Sequence, residues 1–286
     1  MMKKQALFLI FFVTLFSLDA LAQQMLPTEK QVTRFLNSRT YFVYDNNIFG
    51  MYNTAIEDAA NKHWKITDFD FINKNEFKKK KNVSTASMVV QTESHFEGQE
   101  ELGVFTSLSL VLGKPGGTIN TMPDIITVPL AYSDVDYDNY YYKLGLALLF
   151  MQNHVQWLKN NPHVEDRVLL NHYKNSRKST KNKTLWLLKN EMSQDVNTIT
   201  KIKQYYDGDV KFVTKDDIKQ AVDNKNQDVL VLHLVAPSRN IKGNVVTKMI
   251  LSAANADIYY FDFHRIKGKK KPNKFLKSDF VALNKL

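Results

Sequence analysis

Phe69-Asp-Phe-Ile-Asn-Lys-Asn-Glu-Phe77 and, 141 residues further on, Val210-Lys-Phe-Val-Thr-Lys-Asp-Asp-Ile218 share one pattern. Each begins with apolar and polar residues in alternation, the period of a strand with one covered face. Next comes a residue whose side-chain oxygen can accept orphan backbone N–H groups at a helix start, Asn73 in one stretch and Thr214 in the other. Three positions on stands an acid, Glu76 or Asp217, which suits the positive end of a helix dipole, and Glu76 can also close a capping box. A strand that runs directly into a capped helix, written twice, predicts a duplicated α/β chain.

The duplication extends to both sides. Upstream, Thr40-Tyr-Phe-Val-Tyr44 corresponds to Thr184-Leu-Trp-Leu-Leu188, two short apolar runs that read as buried strands. A helix follows each run. In the first, Ile48, Met51, Tyr52, Ala55, Ile56 and Ala59 fall on one face; in the second, from about Asp195, Val196, Ile199 and Ile202 point inward. Gly208 is expected to stop this second helix in a left-handed conformation. Downstream, Met88-Val89-Val90 corresponds to Leu230-Val231-Leu232, and Val104 to Leu110 corresponds to Val245 to Leu251. A last strand begins at Asp124-Ile125 and again at Asp257-Ile258. Each lobe thus reads strand, helix, strand, short helix and three strands, a mixed-sheet unit of the α/β (α+β) class.

Between the lobes, Leu144, Ala147, Leu148, Met151, Val155 and Leu158 form one helical stripe, and Leu146, Leu149, Phe150 and Trp157 form a second. A helix that is apolar on two sides is buried, so it is expected to join the lobes by packing between them. Asn175 to Lys183 is polar and basic and reads as an exposed loop. The chain therefore divides into a leader (1–22), a first lobe (23–135), a helical connector (136–182) and a second lobe (183–286).

The leader has the parts of a cleavable secretory signal peptide: Lys3-Lys4, an apolar run from Ala6 to Leu18, and Ala20-Leu21-Ala22 as the cleavage site. The run is shorter than the ~20 residues that cross a bilayer. Cleavage after Ala22 would give a mature chain starting at Gln23, located in the periplasm or otherwise exported, without a transmembrane span. The sequence has no cysteine, which excludes disulfides, thiolate chemistry, cysteine zinc sites and lipid attachment at a cysteine. With 44% hydrophobic residues and only 10 Gly and 7 Pro, the chain has the means to build real cores and little material for long linkers. The net charge of +10 in an exported protein points to an envelope protein or an anionic surface as partner, such as lipid headgroups or acidic glycans.

The strands leading into capped helices at Phe69–Phe77 and Val210–Ile218, together with the strand pairs above, resemble the α/β unit shared by the amino-terminal domain of TolB and the periplasmic domain of the curli secretion channel. Lys211 to Val222, followed by Asp228-Val-Leu-Val231, is the closer of the two matches. The whole chain also resembles exported gram-negative envelope proteins that carry two such lobes. The resemblance implies a non-enzymatic role: docking onto other proteins, assembling a complex or sensing a ligand. It does not bring over the β-propeller of TolB, or the lipid anchor and membrane hairpins of the curli channel.

No set of residues has catalytic spacing. His154, His163 and His172 are nine apart, whereas metal pairs on a helix need three or four, so they read as surface or helix-end residues. His264 and Asp262 share a strand face and are expected to form a structural pair. Gly113-Lys-Pro-Gly-Gly-Thr118 lacks the G-K-[S/T] ending of a phosphate loop and reads as a connection between strands. Glu100-Glu101, Glu165-Asp166 and Asp216-Asp217 are consecutive, so their side chains diverge into helix starts or turns. Catalytic, cofactor and metal residues are therefore not assigned. The candidates for partner binding are the basic runs Lys78, Lys79, Lys80 and Lys81, and Lys269, Lys270 and Lys271. Lys174, Arg177, Lys178, Lys181 and Lys183 line the interlobe loop. Aromatics are not interleaved with these runs, which argues against nucleic acid. The expected function is a contact-based envelope scaffold or adaptor. The alternatives are a binding module for an anionic ligand and, behind it, an exported hydrolase assembled from distant residues.

Overall fold

A computed structural model describes residues 26–46, 51–95, 103–176 and 178–285. The expected signal peptide and its expected cleavage after Ala22 fall outside the described residues, as do Ile48, Arg177 and Glu100-Glu101.

The chain forms two five-stranded mixed sheets. The first lobe runs α1 (Glu29–Leu36), β1 (Arg39–Val43), α2 (Met51–His63), β2 (Phe69–Ile72), α3 (Lys74–Lys80), β3 (Ala86–Ser94), β4 (Phe105–Leu112) and β5 (Asp124–Tyr132). Then come α4 (Leu144–Asn160) and α5 (Asp166–Asn175). The second lobe runs β6 (Thr184–Leu187), α6 (Ile199–Ile202), β7 (Asp209–Phe212), α7 (Lys215–Asp223), β8 (Val229–Val235), β9 (Val245–Ser252), β10 (Ile258–Arg265) and α8 (Lys277–Leu283). The strand orders β2-β1-β3-β4-β5 and β7-β6-β8-β9-β10 are the same topology, with the first three strands parallel and the last two antiparallel. The duplication is thus present at the level of the fold. Both capping boxes are made: Asn73 accepts from Glu76 N at 3.0 Å, and Thr214 from Asp217 N at 3.1 Å. Two elements the repeat does not contain, α1 and α8, close the ends of the described chain. The first carries its own capping box, Thr28 with Gln31.

The lobes do not meet as mirror halves. In lobe one the first crossover helix, α2, lies in the large shared core with Phe42, while α3 covers the outer face with Tyr41 and Val43. In lobe two the roles are reversed: α7 enters the shared core beside Trp186 and Val231, and α6 lies outside with Leu185 and Leu187. The lobes are stacked in tandem, with α2, α4 and α7 between the sheets. This corrects three of the strand alignments by one residue. Phe42 faces the first crossover helix whereas Trp186 faces the second, so Thr40–Tyr44 does not lie on Thr184–Leu188. The same slip separates Met88 from Leu230, and Leu110 from Leu251: Leu110 pairs with Val89 on the α2 side, while its counterpart Ile250 pairs with Leu232 on the α6 side. Hence Val104 does not fall on Val245. The reason is that these strands are covered on both faces, and a continuous apolar run looks the same after a one-residue shift. The edge strands β2 and β7 keep a polar side, and there Phe69 and Val210 do face corresponding helices.

The connecting helix α4 is buried as expected, with Leu148 and Met151 fully inaccessible. It packs on α1, α2 and β5 of the first lobe and on α7 of the second. Gly145 permits this approach: an added Cβ would come within 2.7 Å of the His63 ring on α2. Two local expectations fail. Met51, placed on the inner face of α2, is 53% exposed, and Tyr52, Ile56, Ala59 and Ala60 do the burying instead. Gly208 does not adopt positive φ; α6 is a single turn that ends earlier, and Gly208 instead makes room for the Tyr206 ring.

Contacts between the lobes are polar as well as apolar. The Tyr132 hydroxyl donates to Val245 O at 2.7 Å and accepts from Val245 N at 3.1 Å. Lys62 and Lys219 both reach Asp58 and Asp223, so α2 and α7 are tied by a four-charge network that also holds His63.

Candidate functional site

The first three strands of each lobe are doubly wound. From β1 the chain leaves over one face through α2 to β2, then returns over the other face through α3 to β3. Where neighbouring strands send their connections in opposite directions, a crevice opens at their carboxyl ends. Here it is a cleft of about 440 Å³, within the range of ligand sites. Tyr44 and Asp45 enter it from the end of β1, Gln91 and Glu93 from the end of β3, and Asp134, Asp136 and Tyr137 from the segment after β5. The equivalent position in lobe two holds a second hollow of about 230 Å³, formed by Leu188 and Glu191 after β6 and by Leu234, Ala236 and Pro237 at the end of β8. Asp134, Val135 and Asp136 belong to both hollows and form the wall between them.

The first cleft is acidic although the chain is basic. Among the described residues its lining has four carboxylates, Asp45, Glu93, Asp134 and Asp136, against the single cation Lys74. Lys74 is already engaged: its Nζ lies 2.7 Å from Asp45 and holds that carboxyl below the usual range. Asp134 accepts from the Ser238 hydroxyl at 2.6 Å, a contact from the other lobe. Glu93 and Asp136 are exposed and have no ion pair among the described residues. Tyr52 lines the same cleft with its side chain 2% exposed, and its buried hydroxyl has no hydrogen-bond partner among the described residues. Burial raises its pKa, so the hydroxyl stays neutral. At the rim Tyr137 is 56% exposed and stacks on Tyr141 at 5.3 Å.

The basic residues singled out in the sequence lie elsewhere and are not brought together. Lys78 to Lys81 end α3, at the opposite edge of the first sheet from the cleft. Of the four, Lys78 and Lys79 are exposed, and Lys78 also reaches the Asn75 side chain at 3.5 Å. Lys80 donates to the Tyr41 hydroxyl at 3.0 Å, and Lys81 donates to Gly117 O at 2.7 Å, which pins the Gly113–Thr118 connection. Lys269, Lys270 and Lys271 are fully exposed on a turn after β10 and have no ion pair among the described residues. In the interlobe loop, Lys178 is held by Asp257 and Lys183 by the carbonyl of Gln227.

The histidines serve the fold. His154 is not at the surface: it is buried in α4 against the Tyr173 hydroxyl, and burial drops its pKa to about 4. His172 stacks on Trp157, and His163 is exposed. His264 bonds Pro272 O at 2.8 Å and not Asp262, whose carboxylate turns instead to Lys248 at 3.3 Å. That lysine is buried with Asp279 at 2.6 Å. Among the described residues no three His, Asp or Glu side chains are grouped to hold a metal ion, and no helix is long and apolar enough to cross a membrane.

The cleft residues were not singled out from sequence. A signal was available in Tyr132-Ser-Asp-Val-Asp-Tyr-Asp-Asn-Tyr-Tyr-Tyr142, a dense cluster of acids and tyrosines in a basic chain. Comparison with family models, with curated proteins and with solved structures returned no match.

Proposed function

We propose that this chain is an exported envelope protein that works by contact, as an adaptor or scaffold, and that a partner docks at the carboxyl-edge cleft. The observation that carries this reading is the pair of adjoining hollows on lobes locked to each other by a shared core and by charge networks. A rigid double platform with open, unpaired groups at one edge suits recognition. The reading includes export through the leader, removal of residues 1–22, and kinship with the TolB-type and curli-channel unit. Envelope fractions should contain a chain whose intact mass begins at Gln23. A photo-crosslinking residue in place of Tyr137 should then join it to a second protein in the envelope. A mass that retains the leader overturns the export reading, and a chain that crosslinks to nothing overturns the contact reading.

A second reading, binding to an anionic surface, is favoured by the unpaired tip Lys269–Lys271. Replacing these three lysines with Glu should change stability by less than about 0.5 kcal/mol, since exposed charges contribute little to folding. It should abolish co-sedimentation with vesicles containing anionic lipid. Equal sedimentation of wild type and variant rules this reading out.

A further inference from the structure

We propose that the cleft of the first lobe receives an arginine or lysine side chain from an extended segment of a partner protein, and that the second hollow takes a neighbouring residue of the same segment. This inference rests on the contact reading above. The first argument is charge: among the described residues the lining has four carboxylates and one lysine, and Asp45 already occupies that lysine. An anion entering the cleft would meet Glu93 and Asp136 with no free cation to receive it, whereas a cation would be drawn in.

The second argument is independent of the acids. The Tyr52 hydroxyl is buried at the cleft and lacks a partner among the described residues. An unmade hydrogen bond in a buried place is costly, and such groups in native structures usually have a reason. An ammonium or guanidinium group only donates, so it matches a floor made of a hydroxyl oxygen and carboxylates. At the rim, the exposed ring of Tyr137 can cover a cation with its face.

The third argument selects a polypeptide over a free polyamine. The cleft does not end at its wall. Beyond Asp134–Asp136 lies the second hollow, where Leu188, Leu234 and Pro237 share the lining with Glu191, Asn273 and Lys274. A basic residue on one side of the wall and a side chain of mixed polar and apolar contacts on the other is a pattern that a polypeptide can present and a polyamine cannot. The surrounding positive charge of the protein repels basic segments at long range, so the acidic cleft is where such a segment can be held selectively.

The test uses the exported form of the chain and three probes: a short peptide bearing arginine and leucine, the same peptide with glutamate in place of arginine, and spermidine. The arginine peptide should bind, weaken with salt, and lose about tenfold in affinity in the Glu93→Gln/Asp136→Asn variant, where two modest charge contacts are lost. That variant should melt like wild type, because both side chains are exposed. Tyr52→Phe should keep its fold, having lost a hydroxyl with no partner, and should bind several-fold more weakly. The proposal is overturned if the glutamate peptide binds as well as the arginine peptide, if spermidine binds as tightly as either, or if the charge variant binds unchanged. Persistent crosslinking at Tyr137 under any of these outcomes would keep the contact reading and reject only this choice of occupant.

Discussion

Lowering the pH from 7 to 5 should destabilise this protein by about 4 kcal/mol through two histidines alone. His154 is buried in α4, and His233 is buried in β8, where Nε2 donates to Pro129 O at 2.9 Å. Burial disfavours the imidazolium and brings His154 to about 4 and His233 to about 3, with the Lys143 ammonium adding to the effect at His233. Both folded values lie below the unfolded value of about 6.5. Below that pH the unfolded chain takes up protons that the folded chain refuses, so stability falls as pH falls. Each pH unit between about 6.5 and the folded pKa costs about 1.4 kcal/mol per group, or about 2 kcal/mol for each histidine at pH 5. Asp223, held at about 2 against the opposing effect of burial by Lys219, Lys62 and His63, adds a further loss below about pH 4, where a carboxylate of ordinary pKa protonates on unfolding. Urea midpoints at pH 7 and pH 5 measure the drop. The His154→Leu/His233→Leu chain should be less stable at pH 7 yet show a much flatter dependence. A slope equal to that of wild type would show that these side chains are not held neutral.

Asp279→Ala should be the most damaging single change in the second lobe. Asp279 and Lys248 are each 1% exposed and lie 2.6 Å apart. The same carboxylate accepts from the Tyr260 hydroxyl at 2.9 Å and from Leu276 N at 2.7 Å, so it also starts α8, whose Phe280 and Leu283 complete the outer core. Removing it leaves a buried ammonium with only the half-exposed Asp262 nearby, and breaking a buried pair in this way costs roughly 3–5 kcal/mol. Lys248→Met combined with Asp279→Asn should recover most of the loss, because the buried charge is gone and the asparagine oxygen still caps α8. Chemical denaturation of the three chains tests this. If the double variant is no more stable than Asp279→Ala, the stranded charge is not the source of the loss.

Both expected effects concern residues the sequence reading passed over or placed differently, and the cause is common to them. A lone histidine or lysine in a chain carries no mark of its burial. His154 read as a surface or helix-end residue because its spacing to His163 and His172 excluded metal, although the helix that carries it was expected to be buried. His264 beside Asp262 read as a pair because alternation puts them on one face, but Lys248 from the adjacent strand took the carboxylate first. The cleft was invisible for a related reason: Tyr52, Glu93 and Asp136 belong to three separate elements, and only the crossing of the chain over the first sheet collects them.

What the amino-acid order determined by itself is whatever acts within a few residues. Asn73 with Glu76 and Thr214 with Asp217 are local hydrogen-bond arrangements, so the two strand-to-helix units and their duplication were legible. The double apolar stripe from Leu144 to Leu158 likewise required burial wherever the helix lay. The tertiary structure decided which face of each strand met which helix. Phe42 and Trp186 occupy the same place in the pattern and opposite faces in the fold, because strands covered on both sides lose the alternation that would fix their register. It also decided the tandem stacking, with α2 of one lobe and α7 of the other turned inward, and that stacking set the two carboxyl edges side by side along Asp134–Asp136.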